Sequence, residues 1–213
     1  MGPGLNLIVA SIITVLHNLS MNPPKNLFFI ALLPPQEISD RANSIKQHFA
    51  DNYNSRAALK SPPHITLQPP FPLLDEEIAP LKSCISKFAS TQTVVTVTLN
   101  GFAAFPPRVI YINVVKTQPL LDLQSNLAST LATELQLVDA RDKNRGFSPH
   151  MTVGFKDLTK QNFKAAWAEF QHQQLDYEFV ATELTLLKHN GKRWEIETQF
   201  PFVKALNNQI DLY

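Results

Sequence analysis

The chain has 213 residues, of which 44% are hydrophobic and 17% are charged, a composition typical of a globular protein with room for one large domain or two small lobes. Its formal net charge of +1 argues against bulk electrostatic binding to long nucleic acid, so an anionic ligand needs a local cluster of positive side chains. The single cysteine, Cys84, excludes a disulfide framework and a cysteine-based zinc site, fits a reducing compartment, and leads us to expect a cytoplasmic protein.

Residues 1–20 form an apolar extension whose status the sequence leaves open. Residues 5–19 are rich in Leu, Ile and Val, but the run is short for a membrane span and lacks the basic start of a secretory signal peptide. Three interpretations stand: a helix added to the domain, a membrane or export element, or a non-native extension before a true start at Met21. We expect one domain over residues 21–204, a tail at 205–213, and no membrane partner.

The first half of the chain alternates strand and helix patterns. The predicted elements are a strand at 26–33, a helix at 36–52, a strand at 64–68, a helix at 75–88 and a strand at 93–99. Prolines at 69, 70 and 72 are expected to stop the strand at 64–68. Gly101 is expected to end the strand at 93–99.

The second half repeats this alternation and adds a hairpin. The predicted elements are a strand at 109–115, a helix at 119–138, a strand at 149–153, a helix at 159–171, and strands at 178–188 and 192–202. Pro119 is placed like a proline in the first turn of a helix. Asn190-Gly191, between the last two strands, is the strongest short signal for a hairpin.

This order of elements predicts an α+β fold, because strands are followed sometimes by strands and sometimes by helices. Each half contains a strand, a helix, a loop, a second strand and a second helix in that order, which indicates a degenerate internal duplication. We therefore predict a bilobal architecture of two pseudo-symmetric lobes, with largely antiparallel sheets flanked by helices and a cleft between them.

One five-residue frame occurs twice. Residues 63–67 are Pro-His-Ile-Thr-Leu and residues 149–153 are Pro-His-Met-Thr-Val, so two of the six histidines stand in the same context. Alternation of this kind is typical of a short strand, in which residues i and i+2 share a face. The histidine and threonine of each frame therefore point to one side, and the two apolar residues point to the other. We expect both frames to line the cleft.

Two imidazoles and two hydroxyls in one cleft suit the cleavage of a phosphodiester. One neutral histidine can deprotonate water while one protonated histidine supplies a proton to the leaving oxygen, each typically worth about 10²–10⁴-fold. Threonine hydroxyls can donate to the non-bridging oxygens. A cyclic phosphate is the most suitable target, because its ring fixes the 2′ and 3′ oxygens. His64 and His150 are thus candidate catalytic residues, Thr66 and Thr152 candidate substrate-binding residues, and no metal or other cofactor is required.

Other interpretations of these residues stay open. A single histidine on a strand is usually structural, and threonine is simply a good strand former. A metal site with two histidines is possible, although no carboxylate or third ligand stands at motif spacing. The remaining histidines are interpreted as ordinary surface or structural residues: His17, His48, His172 and His189. Cys84 lies on an apolar helical stripe and is interpreted as a small core residue.

The loop before the second frame is basic. Arg141, Lys143 and Arg145 form a solvated loop by default, but their position before His150 makes Arg141 and Arg145 candidate contacts for an anionic substrate. Aromatic residues near the frames can stack a base or pack in the core, and the second interpretation is the more common one; they are Phe71, Phe147 and Phe155. The positive residues around the predicted hairpin are interpreted as surface charge: Lys188, Lys192 and Arg193.

The two frames resemble the paired motifs of the 2H phosphoesterase superfamily, and within it the 2′-5′ RNA ligase (LigT-like) branch. The surrounding order of elements supports the resemblance over about residues 25–203. It implies a bilobal α+β fold and metal-free cleavage of 2′,3′-cyclic or 2′-5′ phosphodiester bonds. It further implies that His64 is the proton donor and His150 the proton acceptor, while Thr66 and Thr152 hold the phosphate.

One position departs from the family pattern. Family members often carry a basic residue two positions before the second histidine, where this chain has Ser148. The resemblance then leaves Arg145 or Arg141 to contact the phosphate. The expected ligand is an RNA end or a small cyclic nucleotide bound by a monomer. Two alternatives stay open: 2′-5′ RNA ligation as the main activity, and a non-catalytic module that binds a nucleotide or RNA end.

Overall fold

The computed structural model describes residues 25–138 and 146–203 of the chain. Predictions made for residues 1–20, for Arg141 and Arg145, and for the tail lie outside these residues. The described elements include a short 3₁₀ helix, Ala57–Lys60. The strands and α-helices are β1 (Asn26–Leu32), α1 (Gln36–Tyr53), β2 (Ile65–Leu73), α2 (Asp75–Ala89), β3 (Val95–Phe105), β4 (Val109–Val114), α3 (Gln118–Leu135), β5 (His150–Gly154), α4 (Lys160–Phe170), β6 (Asp176–Ala181), β7 (Glu183–His189) and β8 (Trp194–Pro201).

The strands form two four-stranded sheets, which confirms the predicted α+β fold with two lobes. The first sheet has the order β2-β1-β7-β8 and the second has the order β5-β4-β3-β6. Every described strand pair is antiparallel. The two motif strands, β2 and β5, lie at corresponding edges of the two sheets. Each pairs with the strand that starts its half of the chain, β1 or β4.

The internal duplication is visible in the element order. A unit of strand, helix, strand, helix and strand runs from β1 to β3 and again from β4 to β6. The last strands, β7 and β8, complete the first sheet, while β3 and β6 complete the second. The similar surroundings of β2 and β5 therefore come from one arrangement used twice.

The helices bury apolar stripes against the sheets. The clearest stripe is on α3, where four leucines at helical spacing are at most 3% exposed: Leu120, Leu123, Leu127 and Leu131. Burial of one such side chain contributes about 1.5–3 kcal/mol. Pro119 lies in the first turn as predicted. The helix ends at Leu135 because Gln136 adopts a left-handed conformation with φ 56°.

Helix α1 of the first half packs on β5 of the second half. A β-carbon at Gly154 would lie 2.7 Å from the ring of Phe49, so only glycine permits this approach without a shift of that ring. Phe49 is fully buried. This contact brings the end of the second motif strand against the helix that precedes the first motif.

The prediction that prolines stop the first motif strand is wrong. Strand β2 continues through Pro69, Pro70 and Pro72 to Leu73. An edge strand tolerates proline, because one side of its backbone has no neighbouring strand to receive an N–H. The pairing with β1 also contains register shifts beside Ile30, which accommodate the irregular backbone.

Gly101 does not end the third strand, contrary to prediction. Strand β3 continues to Phe105, and its pairing with β4 shifts register between Leu99 and Phe102. Gly101 has φ +63° at this irregularity, a conformation that glycine adopts readily. The residue therefore marks a bulge inside the strand.

The predicted strand at 178–188 is two strands in different sheets. Strand β6 pairs with β3 in the second lobe, and β7 pairs with β1 in the first. The chain crosses between the lobes at Thr182, which belongs to neither strand. The apolar pattern continues across the crossing because both strands bury side chains, so the pattern alone conceals the break.

No helix in the described part of the chain is both long and apolar enough to cross a membrane.

Candidate active site

The two motif frames have the alternation that the sequence predicts. Ile65 and Leu67 are at most 1% exposed, whereas His64 and Thr66 are half-buried. In the second frame Met151 and Val153 are completely buried, and their neighbours His150 and Thr152 are again half-buried. The apolar residues fasten each strand to the core and leave the polar residues on the other side.

The polar residues of both frames line one cleft. Its volume is about 380 Å³, within the range of sites for small molecules. The cleft lies where the edge strands β2 and β5 approach each other. The structure therefore brings together the four residues that the sequence predicted on these strands: His64, Thr66, His150 and Thr152.

Both histidines make the same hydrogen bond to the backbone. His64 Nδ1 lies 2.7 Å from the carbonyl oxygen of Pro62, and His150 Nδ1 lies 2.7 Å from that of Ser148. A carbonyl oxygen only accepts, so each Nδ1 carries the hydrogen. In the neutral ring, Nε2 then has a free lone pair. The proline between carbonyl and histidine restricts the backbone at this point, which accounts for a proline in both frames.

Burial keeps both imidazoles neutral near pH 7 in the free protein. Desolvation lowers the pKa of His64 to about 4 against the opposing effect of the Pro62 carbonyl, and the positive charge of Lys46, with that of His150 once it is protonated, lowers it further. Desolvation also lowers the pKa of His150, against the opposing effect of the Ser148 carbonyl. Each ring can therefore accept a proton near pH 7 but requires a nearby negative charge before it can donate one.

Aromatic rings fix the two imidazoles from behind. The ring of Phe29 lies 4.7 Å from that of His64, measured between centroids. His150 has two such neighbours, Phe105 and Tyr111, each at 5.1 Å. These rings restrict the imidazole planes and contribute to the desolvation that lowers both pKa values.

The wall of the cleft is cationic. Lys60, Lys156 and Lys192 line it, and no carboxylate does so among the described residues. Sequence reasoning treated Lys192 as plain surface charge and overlooked Lys60 and Lys156. Three lysines around the paired histidines produce the local positive cluster that an anionic ligand needs despite the small net charge.

Of the three aromatic residues considered for base stacking, one reaches the cleft. Phe155 is 38% exposed and forms part of the wall. Phe71 is buried in the core, and Phe147 packs against the core.

Cys84 also packs against the core, and its burial raises the pKa of the thiol, in agreement with a small core residue.

A buried lysine behind His64 escaped the sequence analysis. Lys46 on α1 is 1% exposed, and its Nζ donates to the carbonyl oxygen of Ser61 at 3.0 Å. Desolvation lowers the pKa of this amine to about 7. Ser61 begins the segment that leads through Pro62 to His64, so Lys46 both holds this backbone and adds positive charge beside the imidazole. Lysine is rarely buried, and no sequence pattern distinguished this one.

The cleft also has an aromatic wall on the β7–β8 hairpin, formed by His189 and Trp194. Sequence reasoning assigned His189 no function and did not consider Trp194. The signal available was their symmetric position on either side of Asn190-Gly191. In the structure they are cross-strand partners, and the connection between them is the four residues 190–193.

A carboxylate joins the two halves beside the cleft. Asp157 accepts hydrogen bonds from the hydroxyl of Ser55 at 2.8 Å and from the backbone N–H groups of Arg56 and Ala57, each at 2.7 Å. The Ser55 hydroxyl in turn accepts from the N–H of Phe155 at 3.2 Å. This network connects the 3₁₀ helix of the first half to the segment after β5, and both segments contribute to the cleft wall.

Comparison with known proteins gives matches along most of the chain. The sequence profile of the 2′-5′ RNA ligase superfamily matches residues 34–193. A protein of Geobacillus sp. (strain WCH70) with the name "Putative phosphoesterase" is 31% identical over 176 residues, which cover 80% of this chain and 93% of that protein.

Solved structures share the fold. The protein TT0787 of Thermus thermophilus superposes with a TM-score of 0.62 at 17% identity, covering 83% of this chain and 98% of that one. LigT of E. coli complexed with 3′-AMP has a TM-score of 0.60 at 18% identity, covering 84% and 99%. At such identities the likeness extends to the two-lobed architecture alone.

Proposed function

This chain belongs to the 2′-5′ RNA ligase superfamily of 2H phosphoesterases, and we propose that it is a metal-independent phosphodiesterase that opens the 2′,3′-cyclic phosphate of RNA ends or nucleotides. The observation that carries the proposal is the matched pair of histidines. Both have Nδ1 occupied by a backbone carbonyl, and both line one cleft without a described carboxylate.

His150 is the proposed general base. Its neutral Nε2 takes a proton from a water molecule as the water oxygen attacks phosphorus. The hydrogen bond from Nδ1 to Ser148 holds the ring in the tautomer that leaves Nε2 free. As the new P–O bond forms, the bond from phosphorus to the 3′ oxygen breaks.

His64 is the proposed general acid. It donates a proton to the departing 3′ oxygen, so the products are a 2′-phosphate and a 3′-hydroxyl group. Proton exchange with solvent then restores both histidines. No oxidant or additional reactant is needed, because water supplies the only new atoms.

The substrate itself supplies the charge that His64 needs. A phosphate anion about 4 Å from the ring stabilises the imidazolium by about 4 kcal/mol at an effective dielectric constant near 20. Since about 1.4 kcal/mol corresponds to one pKa unit, this interaction can return the pKa of His64 from about 4 to near neutrality. Near pH 7 the acid is therefore mostly neutral in the free protein and becomes charged when the substrate is bound.

The threonines and lysines hold the phosphate in this scheme. Thr66 and Thr152 share the faces of the two histidines and donate from their hydroxyls to the non-bridging oxygens. Lys60, Lys156 and Lys192 attract the anionic substrate to the cleft. Arg141 and Arg145, in the segment before the second motif, remain proposed contacts for the phosphate.

The test is turnover of 2′,3′-cyclic AMP by purified protein in EDTA. We expect turnover by the wild type and losses of about 10²–10⁴-fold in His64→Ala and in His150→Ala. The control His172→Ala should keep the wild-type rate, because this side chain is exposed and lies outside the cleft. Undiminished turnover in both cleft variants would falsify the proposal. Nucleotide binding by a wild type without turnover would instead identify a binding module.

A different nucleophile gives a second assay. If a 5′-hydroxyl group takes the place of water, His150 accepts its proton, the 5′ oxygen bonds to phosphorus, and the bond from phosphorus to the 3′ oxygen breaks as His64 protonates that oxygen, which leaves a 2′-5′ bond and a 3′-hydroxyl group. The ratio of ligated to hydrolysed product, measured with excess 5′-hydroxyl oligonucleotide, separates a ligase from a hydrolase.

A further inference from the structure

We propose that the β7–β8 hairpin carries a nucleobase-binding subsite, in which Trp194 stacks on the base and His189 donates a hydrogen bond to it. The inference builds on the proposed function, because it concerns the nucleoside attached to the reacting phosphate. It assigns a recognition role to a segment whose charged and aromatic residues play no part in the proton transfers.

Aromatic rings form a continuous row from the hairpin to the catalytic histidine. The Trp194 ring lies 4.9 Å from that of His189 and 4.7 Å from that of Phe29, with interplanar angles of 69° and 78°. Phe29 in turn lies 4.7 Å from His64. Both neighbours of Trp194 make edge-to-face contacts, so they hold its plane in position.

The row stands on an apolar face of the first sheet that is separate from the main core. Phe29, Ala31 and Leu187 are buried there, and Trp194 covers them while remaining half-buried. Its remaining surface lies in the cleft, among lysines. A flat apolar ligand with an attached phosphate satisfies both features, and a nucleotide is such a ligand.

His189 has the opposite tautomer from the catalytic histidines. The backbone N–H of Gly191 donates to His189 Nδ1 at 3.2 Å. Nδ1 is therefore the acceptor, and in the neutral ring Nε2 carries the hydrogen. His189 thus presents a donor, whereas His64 and His150 present lone pairs. The donor at Nε2 suits a hydrogen bond to a ring nitrogen or carbonyl oxygen of a nucleobase. In this tautomer His189 cannot accept a proton at Nε2, so it does not act there as a third general base.

The hairpin turn fixes the wall. The Asn190 side-chain oxygen accepts hydrogen bonds from the N–H groups of Lys192 and Arg193, each at 2.9 Å. Gly191 adopts φ +92°, which glycine tolerates readily. Because the turn is closed by its own side chain, His189 and Trp194 are held opposite each other before a ligand arrives.

Intrinsic fluorescence tests the subsite independently of activity. The chain has two tryptophans, and Trp167 lies on α4, packed against the main core and outside the cleft. In Trp167→Phe, emission therefore reports on Trp194. We expect saturable quenching by 2′-AMP and no quenching by inorganic phosphate alone. Emission unchanged by saturating 2′-AMP would overturn the inference.

Kinetics separate stacking from a structural role. With 2′,3′-cyclic AMP, Trp194→Ala should raise KM roughly tenfold with little change in kcat, the scale for loss of one stacked base. Trp194→Phe should restore most of the loss, His189→Ala should raise KM less, and Arg193→Ala, on the same turn but outside the cleft wall, should change neither parameter.

A substrate without a base completes the design. Ribose 2,3-cyclic phosphate should be hydrolysed by wild type and Trp194→Ala with equal kcat/KM. An equal loss on both substrates would contradict the subsite and indicate that Trp194 only maintains the fold. If the wild type hydrolyses neither substrate, the proposed function fails, and the quenching by 2′-AMP still decides whether the base is bound.

Discussion

The two motif strands give their histidines the same hydrogen bond and different surroundings. Each Nδ1 is 2.7 Å from the carbonyl oxygen two residues before it. Behind His64, however, stand a buried lysine and the apolar wall of the first sheet, whereas His150 packs on Phe105 and Tyr111 of the second. The duplication therefore supplies two equivalent imidazoles, and the differences between the lobes allow them to take different roles.

The largest expected effect is an asymmetry between the two alanine variants. A p-nitrophenyl phosphodiester has a leaving group that needs no proton, so loss of the general acid matters little for it. We expect His64→Ala to lose about 10²–10⁴-fold on 2′,3′-cyclic AMP but to retain most of the wild-type rate on the activated ester. His150→Ala should be impaired on both. If His150→Ala instead retained the rate on the activated ester and His64→Ala lost it, His150 would be the acid and His64 the base.

A smaller and symmetric effect is expected at the threonines. Thr66→Val and Thr152→Val keep the shape of the side chain and remove the hydroxyl. Each should lower kcat/KM by roughly tenfold, the scale of a hydrogen bond to a charged group. Thr96→Val, on an exposed position of β3, is the matched control. If both cleft variants keep the wild-type kcat/KM, the threonine hydroxyls do not bind the phosphate.

The smallest effect on activity is expected at Lys46, where the measurement is stability against pH. The pKa of this amine is about 7 in the folded protein and 10.5 ordinarily, so between these values the unfolded chain binds more protons. The free energy of unfolding should therefore rise as pH increases from 7 to 10, by an amount on the order of a few kcal/mol. Lys46→Met should flatten this rise.

The same variant sharpens the comparison of the histidines. Removal of the charge beside His64 should raise the pKa of that imidazole in an NMR titration and leave His150 nearly unchanged. Lys82→Met, which breaks a surface ion pair with Glu197 instead, serves as the control. An unaltered His64 titration in Lys46→Met would show that the two groups are not coupled.

Much of the architecture follows from periodicity and from the repeated frame. The four helices and the faces of the motif strands were predictable, because a helical stripe or a strand alternation reflects burial directly. The errors fall where tertiary position decides. Prolines in β2 are tolerated because the strand is at an edge, and the exchange of sheets at Thr182 leaves the apolar pattern unbroken.

The site was predictable in part for the same reason. His64 and His150 stand in a recognisable frame, and His189 and Trp194 flank the predicted hairpin turn. Lys46 instead acquires its position from a contact between separate segments. Lys46 on α1 donates a hydrogen bond to Ser61, which follows the 3₁₀ helix, and Asp157 in the second half of the chain accepts one from Ser55 in the first half. A single sequence contains no local pattern for such contacts.

The most direct measurement is the pH dependence of kcat/KM for 2′,3′-cyclic AMP in the wild type and the two alanine variants. Turnover requires the protonation form of the free protein in which His150 is neutral and His64 is protonated. The pKa values of both histidines are lowered by burial. We expect a bell-shaped profile with its optimum below pH 6.5, from which His150→Ala removes the acid limb and His64→Ala removes the alkaline limb. Persistence of both limbs in either variant would contradict the assignment of His150 as the base and His64 as the acid.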